Sequence, residues 1–452
     1  MLRTHQNQVT LWDSILPESL LSLPAELERI DQILNDERFM WPFLENFNTT
    51  MGRPTVPVQT YLRLKYIKFR YQLGYETLVQ EVSDSLHWRR FCYIAIDQKV
   101  PDATTLIKAR KRYGEGTIEH LNELLVKKLS EERVIRHRKF RTDTTVVESD
   151  IHHPTDATLL QDGVSAITRT INRIRKVASH ATEGFVDQTD IVKRKVLSFA
   201  KVLRRRMSRS WDEVNKITQD VVEITESVLQ QAESVIEKLQ RSTKQSVQKQ
   251  KHGLQSLVDQ TERLLEQAKQ VVSGNRIIPD RLISIYDPMA RPIKKGKLAK
   301  KVEFGYKVRI DETESGFVTG YAVYSGNPSD DEMLIPAVEH HQEIFGSAPH
   351  AVATDRGFGS RKNERVLQEE LGVKHVSTPF RGKKSKKRTE LEQEPWYKDL
   401  QRFRAAGEAK IGLLKQKYGL NRSRFRGHSG TAVWVGFRIL THNLRRAAQV
   451  SK

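Results

Sequence analysis

The chain has 452 residues, with 76 Lys+Arg against 56 Asp+Glu and a formal net charge of +20. That length exceeds one ordinary domain and fits about three. The charge favours a polyanionic partner, since each phosphate neutralised releases condensed counterions, and nucleic acid is the expected one. No apolar run of roughly 18 residues argues for a membrane partner, and the N-terminal MLRTHQNQVTLWD lacks the apolar core of a signal peptide. The single cysteine, Cys92, excludes an intrachain disulfide framework and a Cys-rich zinc site, and it fits a reducing cytoplasm. Its apolar neighbours Phe91 and Tyr93 mark it as a core residue.

Residues 1–130 read as short helices. Val58, Leu62, Tyr66, Phe69 and Leu73 recur at helical spacing, with Gly74 as a stop; Leu78, Val82 and Leu86 mark a second helix. Pro101-Asp102 opens a third, ATTLIKARKRYG, in which Lys108, Arg110, Lys111 and Arg112 form a basic stripe before Gly114. Helices of this kind suit a helix-turn-helix-like DNA reader, with a plain helical scaffold as the alternative. A strand is expected from Val134 to Val147, where β-branched residues surround Asp143.

Next comes a long helical stretch. It opens with Val164, Ile167, Ile171 and Ile174. Heptads follow at Val214, Ile217, Val221, Ile224, Val228 and Val235, and again at Leu254, Leu257, Thr261, Leu264, Ala268 and Val271. The polar QRSTKQSVQKQKHG between the blocks predicts a turn ending at Gly253 and hence an antiparallel helical hairpin; one continuous coiled-coil arm is the alternative. From about residue 300, KVEFGYKVRI and GFVTGYAVYSG read as a β-hairpin around the acidic turn DETES. DEMLIPAVEHHQEIFG is helical, HAVATDRGF is a buried strand ending at Asp355, RKNERVLQEELG is helical and VKHVSTP is a strand. A basic helix follows, and Trp434 in TAVWVGFRIL is expected to pack a C-terminal helix on the core.

Three carboxylates stand out. Asp143 and Asp355 lie at or near the ends of predicted strands, and mixed α/β folds react at such ends. Glu408 is the lone acid of QRFRAAGEAKIGLLKQKYGLNRSRFRG and shares a helix face with Arg404 and Lys415. An all-oxygen set of this kind suits Mg²⁺ or Mn²⁺ better than zinc. Two such ions, about 3.5–4 Å apart, would serve phosphoryl transfer. Capping turns for the aspartates and an i,i+4 ion pair for Glu408 are the plain alternatives. The pairs His152-His153 and His340-His341 point apart on any regular element and are not expected to bind zinc. The runs 291–301 and 381–388, and Arg204, Arg205, Arg206 and Arg209, are candidate DNA contacts or solvated surface.

DTTVVESDIHHPTDATLLQDGV, ATDRGFGSRKNE and RFRAAGEAKIGLLKQKYGLNRSRFRG together resemble the DDE-type transposases of bacterial insertion sequences, and GRPTVPVQTYLRLKYIKFRYQLGYETLVQEV resembles their N-terminal domain. The family's signature places a tyrosine, then two residues, Arg, three residues, Glu, six residues, Lys. Arg404, Glu408 and Lys415 keep that spacing, while Gln401 stands where the tyrosine is usual.

The resemblance implies an α/β fold: an RNase H-like mixed sheet with a long helical, coiled-coil-like insertion after the first strand, plus an all-α N-terminal DNA-binding domain. The expected boundaries are 1–130 for that domain, 131–156 for the first strand of the core, 157–278 for the insertion, and 279–452 for the rest of the core with its C-terminal helices. Asp143, Asp355 and Glu408 become the metal-binding catalytic acids, holding two Mg²⁺ or Mn²⁺ ions, and Arg404 and Lys415 phosphate grips. The implied activity is cleavage at the ends of an insertion sequence and joining of the 3′-hydroxyls to target DNA. The implied partners are double-stranded DNA, as terminal inverted repeats and as target, and a second copy in a homodimer on paired ends, in a bacterial cytoplasm at the nucleoid. An RNase H-like nuclease that cuts without joining, and a non-catalytic DNA-binding or coiled-coil protein domesticated from a transposase, are the alternatives.

Overall fold

A computed structural model describes residues 1–3, 15, 17, 22–44, 52, 54–204, 210–240, 242–294, 302–380, 382 and 385–450. Arg205, Arg206, Arg209, the side chain of Arg204 and most of the basic runs at 295–301 and 381–384 lie outside the described residues. The chain forms two compact units, one made of Met1–Ser149 with Tyr306–Lys452 and the other of Asp150–Gly305.

The first unit opens with helices α1 (Ala25–Leu34), α2 (Val58–Arg70), α3 (Tyr75–Asp84), α4 (Leu86–Phe91) and α5 (Ala103–Glu131). α2 ends at Arg70, so Gly74 does not stop it; Gly74 is instead the residue that precedes α3. Leu86 belongs to α4, not to the helix of Leu78 and Val82. α5 is broken at Gly114, where φ of 73° and ψ of −171° depart from any helical geometry. A glycine tolerates that conformation without a Cβ penalty. α2 is buried nearly all round, and Phe69 stacks on Phe437 of the C-terminal helix at 5.0 Å between ring centroids. Cys92 is fully buried in the same core, and burial pushes its thiol pKa up.

The sheet is mixed. β1 (Lys139–Glu148) pairs in parallel with β5 (Ala351–Ala353), and β5 in parallel with β6 (His375–Ser377). On the other side of β1 lies β3 (Val302–Thr313), which pairs antiparallel with β4 (Val318–Tyr324). The hairpin of β3 and β4 was expected around an acidic turn. In the structure Asp311 and Glu312 lie inside β3, 1% and 2% exposed, and the connection begins after Thr313. They tolerate burial because each has a cationic partner: Arg309 for Asp311 and Arg141 for Glu312. α10 (Leu334–Phe345) and α11 (Arg361–Arg365, continued by a π turn over Val366–Glu370) follow the hairpin and β5. After β6 come α12 (Lys386–Gln393), α13 (Pro395–Tyr418) and α14 (His428–Val450). Trp434 of α14 is buried against Phe69 and Phe425.

The second unit is a cluster of helices, α6 (Asp156–Arg175), α7 (Thr189–Arg204), α8 (Ser210–Leu239) and α9 (Gln245–Val272), around one apolar core. Thr155 and Thr158 form a capping box at the start of α6, and Val164, Ile167, Ile171 and Ile174 are fully buried. α8 and α9 run antiparallel: Lys269 pairs with Glu226 at 2.9 Å while Glu262, earlier on α9, meets Glu233, later on α8. α9 begins at Gln245, so Gly253 sits inside it instead of ending the turn. The unit closes with β2 (Arg291–Lys294), antiparallel to the first residues of β3, a strand absent from the sequence reading because its basic composition resembles a loop.

Two glycines of this unit occupy helices in opposite circumstances. A Cβ on Gly163 would lie 2.7 Å from Thr261 Cγ2, whereas nothing lies within 4 Å of one on Gly253. Gly163→Ala is therefore expected to destabilise the unit by about 1–3 kcal/mol through overpacking. Gly253→Ala is expected to stabilise it by roughly 0.5–1 kcal/mol through helix propensity. Thermal or denaturant unfolding of the two variants measures both; shifts of the same sign would contradict the packing described.

Candidate active site

Asp143 lies midway along β1, which runs on to Glu148, and is not at the strand end the sequence suggested; Asp355 follows the end of β5, the strand paired with β1. The parallel ladder pairs Lys139 with Ala351, Phe140 with Val352 and Arg141 with Ala353, and so ends two residues before each of the two acids. Asp143 is half-buried on the strand and accepts the Thr144 N–H at 2.7 Å. Asp355, also half-buried, follows β5 and caps a short 3-10 turn, accepting the Gly357 N–H at 2.8 Å. Gly357 does not have a left-handed φ; what requires it is space. An added Cβ there would lie 2.8 Å from Asp330 Oδ2 and 3.0 Å from Asp355 Oδ1. The two carboxylates are thus no further apart than the sum of those distances.

Asp330, which sequence reading did not single out, is held by Thr144 Oγ1 at 3.0 Å and by the buried Lys307 Nζ at 2.6 Å. Asn363 ties the same stretch to the Asp355 turn, donating to Asp331 O at 2.7 Å and Phe358 O at 3.0 Å.

α13 is laid across these strands by three contacts. Arg141, two residues before Asp143 on β1 and so on the same face, donates from Nε to Glu312 Oε2 at 2.7 Å and from Nη1 to the Phe403 carbonyl at 2.5 Å. Its guanidinium lies 4.7 Å from the Phe403 ring centre. Burial pushes the Glu312 carboxyl pKa up, and Arg141 and then Lys410 oppose that shift. Gly407 permits the close approach, because a Cβ there would lie 3.3 Å from Arg141 Nε. Gln401 supplies the third contact: its Nε2 donates to Ser377 O at 2.8 Å, Ser377 Oγ at 3.0 Å and Thr354 O at 3.3 Å. It thereby ties α13 to the ends of β5 and β6, one residue before Asp355.

Asp143, Arg141 and Glu312 line a small cleft whose helical side is Arg404, Gly407 and Ile411. Arg404 Nε is buried there with no hydrogen-bond partner, while its Nη1 pairs with Glu408 Oε1 at 3.2 Å. Glu408 is 67% exposed and is not gathered with the aspartates. Among the described residues no group of three or more His, Cys, Asp or Glu side chains is placed to hold a metal ion. The reason is electrostatic: Glu408 finds an opposite charge one turn away, and three carboxylates repel. Lys415 is half-buried on the same helix.

The basic stripe of α5 is divided. Lys108, Lys111 and Arg112 are exposed, but Arg110 lies 3.8 Å over the Phe425 ring. The histidine pairs separate, His340 turning to Glu123 and His341 packing against His137 and Phe345. Burial pushes the His341 pKa down to about 3. Of the residues missed in the sequence, Arg141 carried a signal, since it alternates with Asp143 along the strand. Glu312 and Asp330 carried none, the first lying in a segment that reads as a turn and the second in the unassigned stretch between a strand and a helix.

Comparison with known proteins gives the site a context. Residues 16–112 match the Transposase domain (DUF772), and residues 278–444 match the Transposase DDE domain. An uncharacterized protein, ORF8 in the nfe locus of Rhizobium meliloti, is 26% identical over 159 residues, covering 31% of this chain and 77% of that protein. No solved structure matches significantly. A DDE domain implies an RNase H-like fold and a metal-dependent nuclease or transferase acting on DNA. No helix among the described residues is long and apolar enough to cross a membrane. Carrying both domains, the chain belongs to the DDE transposases of insertion sequences.

Proposed function

We propose that the protein cuts DNA at the ends of its own insertion sequence and joins the freed 3′-hydroxyls to target DNA, with Asp143, Asp355 and Glu408 as its catalytic acids. What supports this reading is the parallel pairing of β1 and β5, whose ladder ends two residues before Asp143 on one strand and two before Asp355 on the other. Both steps are one displacement at phosphorus. Water attacks first and the 3′-oxygen leaves; then that 3′-hydroxyl attacks a target phosphodiester and displaces another 3′-oxygen.

Asp143 and Asp355 fit a hard divalent cation, Mg²⁺ or Mn²⁺, as oxygen donors. Glu408, tied only to Arg404, is the member whose side chain has to turn to join them. Bound there, such ions would supply activation of the attacking oxygen and neutralisation of charge at the leaving one. The chain's own contribution is placement. Arg404, with one nitrogen unpartnered in the cleft beside Asp143, is suited to hold a phosphate oxygen, and Lys415 extends the same basic face. The exposed Lys108, Lys111 and Arg112 contact the backbone elsewhere. A second copy of the chain on the paired DNA end and a helical insertion at 157–278 complete the reading.

A strand-transfer assay on linear DNA carrying the element's ends, with Mg²⁺ or Mn²⁺, tests it. Joined products are expected; cleaved but unjoined DNA would favour a nuclease instead. Asp143→Asn and Asp355→Asn are each expected to reduce cleavage and joining to background while end binding persists in a mobility-shift assay. Full cleavage by either variant would remove that residue from the site.

The docking of α13 yields a separate expectation. Gln401→Ala removes the donor shared by Ser377 and Thr354 and should cost about 1–3 kcal/mol of stability, with a loss of turnover that Gln401→Glu, which lacks the amide donor, fails to restore. Arg141→Met leaves the buried Glu312 uncompensated and should cost about 3–5 kcal/mol. Chemical denaturation reads both, and a near-neutral Arg141→Met would show that the pair does not hold the helix.

A further inference from the structure

Helix α2 carries three buried cations, Arg63, Lys65 and Lys68, and only the first is neutralised. Arg63 pairs with Asp31 at 2.7 Å and also donates to Asn35. Lys65 donates to the Tyr75 hydroxyl at 2.7 Å and Lys68 to the Leu73 carbonyl at 2.5 Å, and each ammonium lies 4.4 Å from the Tyr75 ring centre. Arg438 of α14 stacks 4.2 Å over Trp434, and Arg110 of α5 stacks 3.8 Å over Phe425. These rings form one group, with Phe425 packed on both Tyr75 and Trp434. Arg424, exposed, stands beside Phe425 in the chain and acts electrostatically on both Lys68 and Arg438.

Among the described residues, Lys65, Lys68, Arg110, Arg424 and Arg438 make no ion pair, and the Nε atoms of Arg110 and Arg438 have no hydrogen-bond partner. Glu76, exposed on α3, acts on Lys68 in the opposite sense, more weakly than the surrounding cations. Burial and then those cations hold the Lys68 pKa down to about 8. Aromatic faces return about 2 kcal/mol to a desolvated cation. Burying an ion without a counter-charge costs several kcal/mol. The rings therefore offset only part of that cost, and what the arrangement lacks is an anion. Its accessible edge is Arg424 with the half-buried Arg110; Lys68 and Arg438 lie behind, where low dielectric strengthens their field, while burial pushes the pKa of the fully enclosed Lys65 well below the ordinary lysine range.

We propose that Arg110 and Arg424, backed by Lys68 and Arg438, form a binding site for a backbone phosphate of DNA. The site shares no residue with the Asp143–Asp355 cleft. It rests on the transposase reading for the identity of its ligand, but not for its charge chemistry. Phosphate contacts of this kind hold a duplex in place without reading its sequence.

The test is fluorescence anisotropy of the full chain with a labelled random-sequence duplex, between about 50 and 200 mM salt. Arg424→Ala, at an exposed position, is expected to weaken binding about 3- to 10-fold and to flatten the slope of log affinity against log salt by about 1. Lys68→Met, which keeps the side chain's length, is expected to flatten the slope in the same way whatever it does to the melting temperature. An Arg424→Ala protein with wild-type affinity and slope would overturn the site. So would a Lys68→Met protein that melts differently but binds with the wild-type slope, since that marks a structural cation, and so would a wild-type chain that does not bind the duplex. Flattened slopes in both variants from a chain that fails to join strands would uphold the site while rejecting the transposase reading.

Discussion

Opposite charges buried inside a sheet are tolerated only as a pair, and Arg141 and Glu312 are such a pair, on neighbouring strands, 7% and 2% exposed. Their consequence reaches beyond the sheet, because the same guanidinium takes the Phe403 carbonyl and covers the Phe403 ring. The register of α13 along β1 follows from that contact. A slip of one residue would turn the helix by about 100°, carrying Gly407 away from Arg141 and a side-chain-bearing residue towards it, where a Cβ would lie 3.3 Å from Nε. Arg404 and Glu408 flank Gly407 on that helix, and Asp143 sits two residues beyond Arg141 on the strand. One buried ion pair thus fixes the distance between the two elements that carry the candidate acids.

A second constraint comes from the end of the chain. α14 is buried along most of its length, and its Trp434 and Phe437 pack on Phe69 of α2. Residues more than three hundred positions apart therefore share a core. Arg110 acquires its orientation from Phe425, a residue of the loop between α13 and α14. The basic character of α5 is a property of α5 alone; where those charges point is decided by the C-terminal segment. This is why a stripe of four cations resolves into three at the surface and one at the edge of an aromatic cluster.

Much of the architecture was legible because it rests on periodicity. The isoleucines and valine of α6, the heptads of α8 and α9, the hairpin of β3 and β4, and the short buried strands before Asp355 and through Val376 each carry their burial in local spacing. What was not legible rests on partners far away in sequence. Asp311 and Glu312 read as a turn because isolated acids favour turns, and only arginines on the same and the neighbouring strand make a strand possible. Nothing local marks Gly357 as special, yet a glycine is needed there for the gap between Asp330 and Asp355. Gly253 reads as a turn and is an ordinary helical residue with open space around it. Asp143 and Asp355 could be picked out as acids on or just after strands, although β1 continues past Asp143 to Glu148; that those two strands pair is a matter of parallel register, which no local pattern encodes.

Position 401 gives the departure from the family signature a physical reason. In this fold the side chain there faces the carbonyls of Thr354 and Ser377, at the ends of two parallel strands, the Ser377 carbonyl also taking the Thr354 N–H at 3.1 Å. The position therefore asks for a donor of sufficient reach. A tyrosine hydroxyl supplies one proton on a rigid ring, whereas a glutamine amide supplies two on a flexible stem. Gln401 uses that capacity to bridge both strands and the Ser377 hydroxyl at once. Because Thr354 immediately precedes Asp355, the bridge restrains the backbone from which that acid projects. Gln401 thus anchors α13 at the strand ends through its side-chain amide.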